Sequence, residues 1–203
     1  MSEKMALKVA IDLLHVPSQV RLVRSAPLPD GVLTLLRIAA GDNEAEHTAA
    51  ATADRPREVI RRAAVFFIEQ ILFAPNTDSY RVLGVDPRAR AGELRRNAAL
   101  LLRWLHPDVD ALGERSIFVS RVTEAWNNLK TPERRAAYDD LLLYRQARSN
   151  RRSISGRSRL GKRSGGLVMQ NGQRGAKPKH LRARDGVGFF RRALSVLFNR
   201  PLF

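Results

Sequence analysis

His106, Pro107 and Asp108 are the residues of this 203-residue sequence whose types and order point to chemistry. Pro107 pushes His106 toward extended backbone, because its ring clashes with a helical residue placed before it. The imidazole is thereby given a fixed direction. Asp108 places a carboxylate two residues further on, where an arginine of another molecule can grip it in a bidentate pair. This is the chemistry of recognition. The chain has no cysteine, which excludes disulfides and Cys-based zinc sites. Its other histidines, His15, His47 and His180, have no metal-ligand spacing with His106. No catalytic residue, metal site or cofactor is expected.

Two segments with helical periodicity flank the triplet. Gly92–Leu105 repeats Leu94, Ala98, Leu101 and Leu105, and Ile117–Lys130 repeats Val119, Val122, Trp126 and Leu129, both at steps of three and four. A further helix is predicted over Pro132–Tyr144. Thr131 stands where an N-cap belongs and Pro132 at the first helical position, where a missing N–H costs nothing. No alternating strand pattern interrupts these segments, so the region is expected to be all-α.

The wider pattern resembles the J-domain family. Asp78-Ser79-Tyr80-Arg81-Val82-Leu83-Gly84-Val85 is similar to the family's opening D-x-Y-x-x-L-G-V, and Glu93-Leu94-Arg95-Arg96 to the start of its helix II. His106 follows Val85 by 21 residues, the family's usual spacing. Ala125-Trp126-x-x-Leu129 stands where the family has A-Y-x-x-L, and Glu133–Asp139 resembles its closing K-R-x-x-Y-D. The resemblance implies a helical hairpin over residues 78–144. Its core would hold Tyr80, Leu83, Leu94, Leu101, Val122, Trp126, Leu129 and Tyr138. It also implies that His106, Pro107 and Asp108 engage an Hsp70 (DnaK-like) chaperone and stimulate ATP hydrolysis by that partner. Arg95, Arg96 and Arg103 would supply a basic face for the same contact.

The sequence departs from the family in the middle of helix II. An aromatic followed by two basic residues is usual there, and this chain has Ala98, Ala99 and Leu100. The larger Trp126 is expected to fill the space of the missing aromatic. Leu100 and Leu102 leave apolar surface on the helix, which predicts a cover drawn from residues 1–55 or from Arg57–Phe73, one that masks helix II.

The flanks differ in kind. Residues 1–56 are weakly patterned: Leu7–Leu14 and Gly31–Ala40 suit short helices or strands, and Gly41–Arg55 reads as a loop or frayed helix. Arg57–Phe73 is predicted to be a helix ended by Pro75, leading into the J-domain over 57–74. Between Arg145 and Arg184 there are thirteen Lys or Arg and no Asp or Glu, so most of the net charge of +16 belongs to the tail. That segment (145–184) reads as a disordered basic linker, and 185–203 as an amphipathic C-terminal helix of the kind that lies on membranes. An anionic membrane surface and unspecific nucleic acid are therefore further expected partners. No signal peptide or spanning segment is read, so the expected location is cytoplasmic, peripheral at the inner face of a membrane. The sequence leaves two functions open. One is a J-domain co-chaperone. The other is a polyanion- or membrane-binding interaction protein with a J-like scaffold that does not stimulate Hsp70.

Overall fold

The computed structural model of the protein describes residues 4–106 and 117–157. Among the described residues it is built from helices: α1 (Lys4–His15), α2 (Val20–Ser25), α3 (Val32–Ala39), α4 (Asn43–Ala53), α5 (Arg57–Phe67), α6 (Ser79–Val82), α7 (Ala91–Trp104), α8 (Val119–Leu129) and α9 (Pro132–Arg157). A π-turn, Ile68–Leu72, continues α5. The all-α expectation holds. The chain divides into two compact units, one running to Arg135 and the other beginning at Ala136 within α9.

In the first unit α5 is the central post. It buries Ile60, Ala63, Ala64 and Phe67, and α1, α3 and α4 all pack against it. Residues 4–73 therefore form a helical module of their own. Of the two readings of Gly41–Arg55, loop or frayed helix, the structure shows the helix, over Asn43–Ala53. The Asp42 carboxylate accepts from the Ala45 N–H at 3.0 Å and caps it. The Ala45 amide, and then the Arg37 guanidinium, hold the Asp42 carboxyl below its ordinary pKa range.

α7 and α8 pack as the predicted hairpin, and the short α6 packs on α8. Leu94, Ala98, Leu101 and Leu105 are buried on the first arm, and Val119, Val122, Trp126 and Leu129 on the second. Tyr80 and Leu83 are buried as well, as is Tyr138 in the second unit. α7 also packs against α3. The N-terminal residues thus pack on α7 through α3 and, at Trp104, through Phe73; on this helix Leu102 is fully buried and Leu100 half-buried.

One segment is corrected. The basic linker was expected to be disordered from Arg145, yet α9 runs on to Arg157. Leu, Ala, Arg and Gln are good helix formers, and no proline or glycine intervenes between Pro132 and Gly156. The amphipathic helix expected over 185–203 and the linker beyond Arg157 lie outside the described residues. Among the described residues no helix is long and apolar enough to cross a membrane.

Candidate functional site: the exposed face of α7 and its buried brace

α7 carries the triplet's first residue at its C-terminal end. The helix stops at Trp104, and the His106 N–H donates to the Arg103 carbonyl at 3.2 Å. His106 is half-buried, and Pro107 and Asp108 lie outside the described residues. Arg95, Arg96 and Arg103 are all exposed. Arg96 and Arg103 are two turns apart, and His106 follows Arg103 by three residues, so this basic stripe leads toward His106. The masking expected of residues 1–55 does not extend to this stripe.

The opposite side of α7 is sealed. Asn97, 3% exposed, donates from Nδ2 to the carbonyls of Leu83 and Gly84 at 3.0 and 3.3 Å. Gly84 has φ of 65°, and a Cβ there would lie 2.8 Å from Val32 Cγ1 on α3 and 3.3 Å from Leu72 Cδ1. Only glycine fits both the left-handed backbone and the close approach of the N-terminal module. Trp104 is 2% exposed. Its ring lies 6.1 Å from that of Phe73, which in turn lies 4.7 Å from Phe118 at the start of α8.

Arginines hold the C-terminal end of the α5 post, where a helix leaves carbonyls without intrahelical partners. Arg24 donates to the Gln70 carbonyl at 2.8 Å and to its Oε1 at 3.0 Å. Arg81, from the J-domain motif, caps the end of α2 instead, donating to the Ala26 and Val23 carbonyls at 2.9 and 2.8 Å, and reaches the Ile71 carbonyl only at 3.4 Å. Burial lowers the Arg81 pKa, and the Asp78 carboxylate opposes that shift. Arg121 on α8 donates to the carbonyls of Phe73 and Ala74 and to Thr77 Oγ1. Cations at this end also match the negative pole of the helix dipole. Arg135 ties the opening motif to the start of α9: it donates to Tyr80 Oη at 3.0 Å, to the Ala89 carbonyl at 2.8 Å and to the Pro87 carbonyl. Sequence reasoning did not single out Phe73, Trp104, Phe118, Asn97, Arg81, Arg121 or Arg135 as interface residues. Their partners lie 10 or more residues away, where periodicity carries no signal.

Among the described residues no group of His, Asp or Glu is arranged to hold a metal. What the face offers is a set of exposed guanidinium groups on a helix that ends two residues before His106, which suits docking to an acidic protein surface.

A short entry helix and a hairpin of α7 and α8, with His-Pro-Asp in the sequence between its arms, fit a J-domain. Residues 78–139 match the family model of the DnaJ domain, so the chain carries a J-domain. It is similar to the chaperone protein DnaJ of Halalkalibacterium halodurans, 39% identical over 62 residues that cover 30% of this chain and 17% of that protein. The chaperone protein DnaJ of Tropheryma whipplei is 42% identical over a stretch of the same coverage. A curved DNA-binding protein of Pseudomonas syringae is 34% identical over 91 residues, 44% of this chain and 29% of that protein. The chain therefore spans less than a third of the length of these relatives. No solved structure matches it significantly.

Proposed function

We propose that this protein is a J-domain co-chaperone that recruits an Hsp70 partner and stimulates its ATPase through His106, Pro107 and Asp108. The observation that carries the reading is the His-Pro-Asp triplet inside the matched DnaJ domain, directly after a helix whose exposed face bears Arg95, Arg96 and Arg103. In this reading the basic stripe speeds encounter with an acidic Hsp70 surface, and its effect weakens with salt. His106 and Asp108 then dock near the junction of the nucleotide-binding domain and its linker, and the hydrolytic chemistry stays with the partner. The test is single-turnover ATP hydrolysis by a DnaK-type Hsp70 with wild type and His106→Gln. Acceleration by the wild type alone supports the reading, and equal rates with both proteins refute it.

A second reading, polyanion binding, draws on the Arg-rich run that opens within α9 and on the similarity to a protein named for binding curved DNA. Affinity for duplex DNA that falls steeply with salt supports it. A vesicle-binding assay with anionic lipid separates a membrane from nucleic acid as the polyanion.

A further inference from the structure

We propose that Phe73, the last buried aromatic of the N-terminal module, is a positioning residue for His106. The inference deepens the co-chaperone reading, on which its functional arm rests. α7 ends at Trp104, and Phe118 stands immediately before α8. Both touch the same ring: Phe73 lies 6.1 Å from Trp104 and 4.7 Å from Phe118, with ring planes tilted by 30° and 32°. Offset aromatic pairs at these separations favour a defined geometry beyond simple area burial. All of the ring's backbone is fixed as well. The Phe73 N–H donates to the Ile68 carbonyl at 3.0 Å, closing the π-turn, and its carbonyl accepts from Arg121 of α8.

His106 stands two residues beyond Trp104, and its N–H is bonded back to Arg103. A shift of the Trp104 indole is therefore passed directly to the end of α7 and to the imidazole. Phe73 precedes the matched domain, which begins at residue 78. The recognition residue of the J-domain is thus set by a side chain from outside it. The basic stripe is exposed, whereas Trp104 is buried beside Phe73, so loss of the Phe73 ring is expected to spare encounter and to impair the docked geometry.

The test uses the full chain with Phe73→Ala and, as a stability control, Ile60→Ala. Ile60 is fully buried in the same module, about 20 Å along the helix from Phe73. With both variants folded by circular dichroism, Phe73→Ala is expected to lower the maximal acceleration of Hsp70 ATP hydrolysis about tenfold or more. The half-saturating concentration should change less than about twofold. Ile60→Ala should keep the wild-type maximum. Equal maxima for wild type and Phe73→Ala overturn the inference. If Phe73→Ala does not fold, Phe73→Leu keeps an apolar filling, removes the ring and carries the same test. Wild type that gives no acceleration refutes the co-chaperone reading instead. The His106 imidazole resonances then decide on Phe73 alone: a shift in Phe73→Ala without one in Ile60→Ala supports positioning, and unshifted resonances in both overturn it.

Discussion

The two faces of α7 are made of different residues and answer to different surroundings. One face shows Arg95, Arg96 and Arg103 to solvent and ends near His106. The other buries Asn97 and Trp104, on the side where α3 and Phe73 pack. A hairpin helix with a single partner needs one apolar stripe. α7 has two, because it packs on α8 and on the N-terminal module at once. The comparison teaches that an exposed basic face is kept free by giving the module a separate face to hold.

Removing the sealed face should have the largest effect. Trp104→Ala is expected to cost about 3–5 kcal/mol, read by denaturant unfolding, because a large buried ring is lost from a packed site. Gly84→Ala comes next. Its new Cβ meets Val32 Cγ1 at 2.8 Å in a left-handed backbone, and about 1–3 kcal/mol of stability should be lost. The exposed face should behave in the opposite way. Arg95→Ala and Arg103→Ala are expected to change stability by no more than about 0.5 kcal/mol. They should slow association with Hsp70 and flatten its salt dependence, measured by stopped-flow binding.

The smallest effect concerns acid. The Asp42 carboxyl is held below its ordinary pKa by the Ala45 amide and Arg37. A carboxyl with a depressed folded-state pKa adds stability above its unfolded value and loses it as pH falls through the folded one. Asp42→Asn should therefore lower the thermal midpoint near neutral pH. The gap to wild type should close as pH drops below about 4, where the unfolded-state carboxyl protonates.

The same two faces explain what was legible in the sequence. The exposed face follows from local order: the triplet, the three arginines and the hairpin periodicity all sit within one continuous stretch. The sealed face joins residues that lie far apart in the chain. Leu100 and Leu102 announced a need for cover on α7, but nothing in the local pattern shows that α3 packs against the helix. α4 was left open between loop and helix for another reason. It buries Ala45, Ala49 and the Glu46 side chain, which pairs with Arg61 at 2.7 Å, so its inner face carries no large apolar residue. Asp42 followed by Glu44 and Glu46 was the available signal, since acidic residues belong at a helix start. The extension of α9 to Arg157 was hidden by charge: a run rich in arginine reads as solvated chain, although arginine itself favours helix.

That residues 4–135 fold as one body around α7, with its recognition face left open, is tested most directly by native-state hydrogen exchange on the full chain. The slowest amides of α5 and of α7 are predicted to open with the same free energy and to lose protection together in Trp104→Ala. Protection of α7 that survives selective opening of α5 would contradict it.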